Sequence, residues 1–452
     1  MPSNAVQVPN VSGPIPTTRV SVPFRSAFAR ESSLYVDLDE LGFVEEEWFL
    51  DGTADAIDPD GAVLERDAAY TTRVLVRRPA RAEDFSGVVY VEPFHNLNED
   101  TPAWTSEHRY VTRNGHAWVG LTVNSGTFGP AGTPRGGGVE QLREFDPDRY
   151  GSLHLLSFEH GPTRAAPPGP GGFDPELMRW RLAIATAQGH GIAAGLLRLL
   201  EANDPASPLA GFTVARLYAT GWSQTGLFWQ QYLDRGYHEV APVVDGYLIA
   251  VGPGPAHRPV DAVVVNVLSE GEVIGTLNPG FVVADDTDSP RFRGYEVPGT
   301  FHHWEVKPGA QRRPVEGVHD AVHNDKPWHV VVHAILDNMD RWVRDGTPMP
   351  HAARIERDAD APDRVARDDV GNALGGLRNP WVDVPTARYS PRCTCSPVTG
   401  SMVPLTDSEL VARYGDRAGF EAEWSRAVDA LVRDRWLLPE DADAVRDTSG
   451  LP

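Results

Sequence analysis

Short apolar runs rich in β-branched residues recur along the first two thirds of the chain, each bounded by turn residues. They are Val74–Val76, Gly87–Glu92, Ala117–Val123, Val214–Thr220, Val243–Ile249, Ala262–Leu268 and Arg293–Val297. Runs that are apolar at nearly every position suit strands covered on both faces. Helical spacing lies between and after them, over Pro175–Leu200, Ser223–Arg235, Trp328–Arg344 and 406–447. Asp174 and Pro175 supply an N-cap and a first-position proline for the first of these. Strands alternating with helices predict an α/β fold with a mostly parallel central sheet flanked by helices.

Three segments follow neither period. Residues 124–173 contain GTFGPAGTPRGGG and GPTRAAPPGPGG, residues 274–292 are turn-rich, and 355–400 are rich in Pro and Gly. Loops of this length behave as lids or linkers. Residues 124–173, following a strand end, are expected to form a lid. The expected organisation is an N-terminal extension over 1–70 packing on the body and a catalytic domain over 71–354. A C-terminal wrapping segment with helices follows over 355–452.

Charge and composition narrow the function. Among 452 residues, 41 Lys and Arg face 63 Asp and Glu, a net charge of −22. A nucleic-acid partner requires clustered basic residues, so none is expected. No stretch reaches the roughly 18 apolar residues of a membrane helix. The N-terminal residues lack a basic segment followed by an apolar run, so no secretory signal is expected and a cytoplasmic location is. Cys393 and Cys395, the only cysteines, are expected as free thiols, too closely spaced for an ordinary staple. Two thiols alone do not make a zinc site.

The chemistry concentrates in Leu217–Trp229, LYATGWSQTGLFW. A β-rich run ends at Thr220, Gly221-Trp222-Ser223-Gln224-Thr225-Gly226 follows, and a helical pattern begins. This is the strand–turn–helix setting of a nucleophile elbow. A serine on so tight a turn needs small neighbours two residues away. Gly221 meets this, whereas Thr225 stands where glycine is more usual. A bland alternative is an ordinary helix-capping serine.

A serine nucleophile needs a base, and the base needs an orienting acid. In such folds the chain order is Ser, acid, His. After the run Ala262–Leu268 come Ser269-Glu270-Gly271-Glu272-Val273. Glu270 is preferred as nearest the strand end, with Glu272 the alternative. After Arg293–Val297, Gly299-Thr300-Phe301-His302-His303-Trp304 offers His302 as base, ahead of its neighbour His303. His319 and His323 are weaker candidates, and His329 and His333 read as packing or surface histidines. No metal site or cofactor is expected. For the oxyanion hole, the N–H of Gln224 is one donor. The loop Phe94-His95-Asn96 supplies the other, with His95 and Asn96 as candidates. Phe94, Trp222, Phe301, Trp304 and Tyr150 are candidates for substrate contact, although the apolar residues beside the elbow belong mostly to a core.

These segments together resemble a bacterial "alpha/beta hydrolase domain" family of large, esterase-like proteins. GWSQTG is similar to that family's GxSQ(S/T)G elbow, and Gly115–Leu121 resembles its strand before the lid. FDPDRYGSL (Phe145–Leu153) resembles its lid motif, SEGEV (Ser269–Val273) its acid loop, and GTFH (Gly299–His302) its base loop. Arg341–Pro350 and Gly371–Pro385 resemble its C-terminal motifs. The likeness runs over roughly residues 70–447 in the family's order. It implies an alpha/beta-hydrolase fold with long lid insertions and a C-terminal helical extension, with Ser223 as nucleophile, His302 as base and the Glu270 loop as acid. His303-Trp304 and Pro93–Asn96 depart from the family wording, which bears on the substrate. The expected activity is cleavage of a small-molecule carboxylic ester through an acyl-enzyme. The alternatives are acyl transfer by the same triad, or a catalytically idle ligand-binding protein.

Overall fold

A computed structural model describes residues 6–28, 35–58, 60–128, 134–135, 137–156, 186–252, 259–275, 289–303, 321–326, 328–361, 364–391, 393 and 398–448. They fall into two compact units. One spans Met1–Tyr247 with Ala256–Ala262, the other Leu248–Pro255 with Val263–Pro452.

In the first unit, strands β1 (Asn10–Ser12), β2 (Phe43–Ile57), β3 (Val63–Pro79), β4 (Val88–Pro93), β5 (Ala117–Leu121) and β8 (Arg216–Trp222) lie in the order β1-β2-β3-β5-β4-β8. The pairs β4–β5 and β4–β8 are parallel, while β1–β2, β2–β3 and β3–β5 are antiparallel. A two-stranded ribbon joins β6 (Thr127–Phe128) to β7 (Pro134–Arg135). The described helices of this unit are α1 (Pro102–Arg113), α2 (Gly138–Phe145), α3 (Pro147–Tyr150), α4 (Gly189–Glu201), α5 (Gln224–Asp234) and α6 (Tyr237–Val240). The part of the predicted Pro175–Leu200 helix before Thr186 lies outside the described residues, as do residues 129–133, 136 and 157–173 of the expected lid. What is described of that lid includes α2 and α3.

Apart from Val74–Val76 in β3, the N-terminal strands were not legible as apolar runs because they bury charge. Arg73 is wholly buried, with its guanidinium donating to Glu47 (3.4 Å), Glu99 (3.5 Å) and the Phe24 carbonyl (2.8 Å). Arg149 donates to the same Glu47 carboxylate at 2.5 Å. Arg77 binds Glu45 at 2.8 Å and lies over the Trp104 and Trp118 rings at 4.5 and 4.6 Å. Buried charges survive only when paired in this way.

Helix α1 starts on a buried acid. Glu92, at the end of β4, accepts the N–H groups of Ala103 (2.7 Å) and Trp104 (2.8 Å) and the Trp118 indole N–H (3.0 Å). This satisfies first-turn donors that a helix cannot bond internally. Burial pushes the Glu92 carboxyl up to about 8. Glu107, buried on α1, is pushed well above the usual range by burial and then by the charge of Glu92. A carboxyl whose folded pKa is raised favours folding fully below its unfolded pKa, near 4.3. That contribution is lost as pH rises toward the folded value, at up to about 1.4 kcal/mol per pH unit. Glu107→Gln, which cannot ionise, is therefore expected to be more stable than the parent at pH 8, with the gap closing toward pH 5. Urea unfolding at both pH values checks this, and an equal change at both would contradict it.

In the second unit, β9 (Gly246–Ala250) brings the chain in, and β10 (Val263–Ser269) and β11 (Phe292–Val297) pair in parallel with Val264 opposite Phe292. Strand β10 is buried at every position, in keeping with its mostly apolar sequence run. Helix α7 (Glu270–Val273) follows β10, and α8 (His329–Asp345) and α9 (Pro380–Asp383) come later. Strands β12 (Val322–His323), β13 (Ala387–Ser390) and β14 (Ser401–Pro404) form a separate antiparallel sheet in the order β12-β14-β13. Helices α10 (Asp407–Tyr414), α11 (Arg417–Arg433) and α12 (Pro439–Arg446) account for the predicted helical pattern over 406–447. Cys393 is disulfide-bonded, which corrects the expectation of a free thiol there. Cys395 lies outside the described residues. No described helix is long and apolar enough to cross a membrane.

Candidate active site

The first unit presents the serine. Strand β8 ends at Trp222 and α5 begins at Gln224, leaving Ser223 alone at the turn with φ 58° and ψ −118°. That backbone is strained for any residue with a side chain and needs its surroundings to hold it. The hold is visible on both sides. A Cβ on Gly221 would lie 2.4 Å from the Thr225 carbonyl oxygen, so only glycine lets the strand end approach the helix this closely. Thr225 Oγ1 accepts the Trp222 N–H at 2.8 Å and donates to the Trp222 carbonyl at 3.0 Å. The threonine at the usual glycine position thus clips the turn shut. The Trp229 indole donates to the Thr220 carbonyl at 2.9 Å, tying the first turns of α5 back onto β8. The Ser223 hydroxyl does not cap α5, so the helix-capping alternative fails.

The loop after β4 meets this elbow. Phe94 N–H donates to the Leu121 carbonyl (2.8 Å) and His95 N–H to the Asp100 carbonyl (2.9 Å). Asn96 N–H is bound by a side chain instead, the Gln224 Oε1 at 3.2 Å. Gln224 and Asn96 are therefore brought together through the Gln224 side chain, whereas the His95 N–H is committed to closing its own turn. His95 Nδ1 is also used, accepting the Leu97 N–H at 3.1 Å.

The second unit presents the histidine. Ser269, the last residue of β10, caps α7 with a reciprocal box. Its Oγ accepts the Gly271 N–H at 3.1 Å and donates to Glu272 Oε2 at 2.5 Å, and its N–H also donates to Glu272 Oε2 at 3.1 Å. One carboxylate oxygen of Glu272 is thereby fixed. The other, Oε1, lies 2.8 Å from His302 Nδ1. Both residues are buried. A ring that donates from Nδ1 keeps its basic electron pair on Nε2, as a general base requires.

Glu270 sits elsewhere, contrary to the preference for it as partner of the base. Its Oε2 accepts the Gly299 N–H at 2.8 Å and its Oε1 pairs with Arg367 at 2.7 Å. Burial raises its carboxyl pKa, against the pull of Arg367 and the Gly299 N–H. The reason is helical geometry. Residues two apart in one helical turn are separated by about 200° and point to opposite sides. Proximity to the strand end did not decide which side faces the histidine. The pattern Ser269-x-x-Glu272, a capping box, was the sequence signal that places Glu272.

The chain belongs to the alpha/beta hydrolase domain family. That family's profile matches residues 11–447. No curated protein matches the sequence. Among solved structures, a putative dienelactone hydrolase from Klebsiella pneumoniae subsp. pneumoniae MGH 78578 is similar at 13% identity and TM-score 0.26, over 51% of this chain and 73% of its own. A thermostable esterase from Pseudomonas putida ECU1011 is similar at 13% identity and TM-score 0.26, over 52% of this chain and 66% of its own. Similarity at that level carries no argument about substrate.

The aromatic residues expected at the substrate of this alpha/beta hydrolase mostly belong to its interior. Phe94 is fully buried beneath the Arg73 guanidinium (4.3 Å) and edge-on to Trp118 (6.0 Å). Trp222 and Phe301 are buried, Phe301 packing on Gly400. Tyr150 is also buried, and its hydroxyl donates to Glu47 at 2.8 Å and accepts the Phe24 N–H at 2.8 Å. It completes the buried charge network instead of facing a ligand. Trp304 lies outside the described residues, as does His319. His303 lies beside His302, with ring centres 5.9 Å apart, and its carbonyl accepts the Trp328 indole N–H at 3.0 Å. His333 pairs with Asp441 at 2.9 Å, beside His329. No group of three or more metal-ligating side chains occurs among the described residues.

Proposed function

We propose that this alpha/beta hydrolase cleaves small-molecule carboxylic esters through a Ser223–His302–Glu272 triad. The observation that carries the reading is the backbone at Ser223. A left-handed, strained residue between a buried strand and a helix N-terminus, with its hydroxyl not used as a cap, is the arrangement that exposes a nucleophile. The Nδ1–Glu272 hydrogen bond of His302 supports the other half of the reading.

Ser223 Oγ attacks the ester carbonyl while His302 Nε2 takes its proton. The tetrahedral oxyanion is stabilised by the Gln224 N–H at the start of α5. The Asn96 N–H joins once the Gln224 side chain yields it. Each such donor is worth about 3 kcal/mol in the transition state. Collapse expels the alcohol, which receives the proton from His302, and leaves an acyl-serine. Water, deprotonated by the same histidine, then releases the acid and restores Ser223. Glu272 holds the imidazole orientation and stabilises its charge without taking the proton. An alcohol or amine in place of water would give acyl transfer from the same intermediate.

Labelling with a fluorophosphonate followed by peptide mapping tests the reading, since the probe reports an activated serine whatever the natural ester. We expect a single adduct on Ser223. Folded protein that takes up no label, or takes it up elsewhere, would overturn the assignment.

A further inference from the structure

We propose that Glu270 and Arg367 are positioning residues that hold the His302 loop and the Glu272 turn in one fixed relation. This inference rests on the triad proposed above. Glu270 is completely buried and bridges two segments: its Oε2 holds the Gly299 N–H and its Oε1 holds Arg367. Gly299 is the turn of the base loop, three residues before His302. It adopts φ 72°, and a Cβ there would meet Val382 Cγ1 at 2.7 Å, so the loop has one path.

The Glu270 N–H also donates to Thr300 Oγ1 of that loop at 3.4 Å, and further bonds to the loop come from outside the acid turn. The Asn324 amide donates to the Gly299 carbonyl at 2.9 Å and the Asn379 amide to the Pro298 carbonyl at 2.9 Å. Glu270 differs because it belongs to the same four-residue helix as Glu272. In so short an element, a shift of residue 270 is passed directly to residue 272. The carboxylate that fixes the base loop and the carboxylate that orients the base are thus two sides of one helical turn.

Arg367 makes this bridge tolerable. An unpaired carboxylate at a fully buried site is costly and would take up a proton. Arg367 comes from the C-terminal segment, where it bridges to Ala373 and donates from its other guanidinium nitrogen to the Gly371 carbonyl at 3.0 Å. A neighbour in that segment, Arg357, donates to the Val273 carbonyl at 2.9 Å, at the end of the acid turn. The segment therefore grips the acid turn at both ends. Both arginine contacts go to the acid turn, so their effect on the base is indirect.

The test uses the full-length protein and three variants: Arg367→Met, Arg367→Lys and Glu270→Gln. Hydrolysis of p-nitrophenyl acetate and the rate of fluorophosphonate labelling are followed, with thermal unfolding measured separately. Misplacement of a reacting group by a fraction of an ångström to an ångström costs about 10-fold to 100-fold. Arg367→Met is expected to lower kcat and the labelling rate by that factor, with KM within about twofold and Ser223 still the labelled residue. Arg367→Lys should recover most of the loss. If Arg367→Met does not fold, the isosteric Glu270→Gln decides, with about a 10-fold loss expected. Variants that melt at lower temperature yet keep the parent's kcat and labelling rate while folded would overturn the proposal and leave the pair purely structural. A parent protein that does not label at Ser223 would instead overturn the triad itself.

Discussion

Ser223→Ala is expected to lower kcat by about 10⁵-fold to 10⁶-fold while leaving the protein folded, because nucleophile and base act as a unit. Little stability should change, within about 0.5 kcal/mol, since a half-buried hydroxyl that does not cap its helix is removed. The same site carries a second expectation. Alanine keeps a Cβ at φ 58° and so keeps the strain. Ser223→Gly removes it and should be more stable than Ser223→Ala, by about 1 kcal/mol once the greater freedom of unfolded glycine is counted. Steady-state kinetics with any accepted ester and urea unfolding of the three proteins measure both effects. Residual activity in Ser223→Ala near the parent level would refute the serine mechanism. A glycine variant no more stable than the alanine one would show that the elbow stores no strain.

That elbow was legible because every requirement is local. The run Val214–Thr220, the Gly221–Ser223 turn and the following helix lie within a few residues, and the structure reproduces them as β8, Ser223 and α5. Strands β4 and β10 were legible for the same reason, being apolar at most positions. The N-terminal hairpin was not, apart from Val74–Val76 in β3. Strand β2 reads FVEEEWFLDGTADAI, and its glutamates suggest a solvated segment. Only long-range partners reverse this: Glu45 meets Arg77, and Glu47 meets Arg73 and Arg149. The same network draws Tyr150 inward, so an aromatic residue in an expected lid becomes part of the core. The contribution of Arg367 was hidden likewise. It comes from a Pro/Gly-rich stretch nearly a hundred positions after its partner, and no local period marks it.

Glu272→Gln is expected to lower kcat by about 10³-fold to 10⁴-fold with little change in KM, the second largest effect at this site. Glutamine keeps the volume but can present an amide N–H to His302 Nδ1, which favours the tautomer with its proton on Nε2, the nitrogen that must accept one. Ser269 sharpens the comparison. Its N–H and Oγ both donate to Glu272 Oε2, fixing the carboxylate whose other oxygen meets the histidine. Ser269→Ala removes one of these bonds and leaves the charge in place, so its loss should be near 10-fold. Glu270→Gln should fall in the same range, because it disturbs the loop without changing the group on Nδ1. The three kcat values from one preparation distinguish orientation of the base from support of its loop. A larger loss at Glu270 than at Glu272 would mean that the carboxylate bound to Arg367 is the one used in turnover. Equal losses at all three would mean that the turn after β10 acts as a rigid whole and that no single carboxylate orients the histidine.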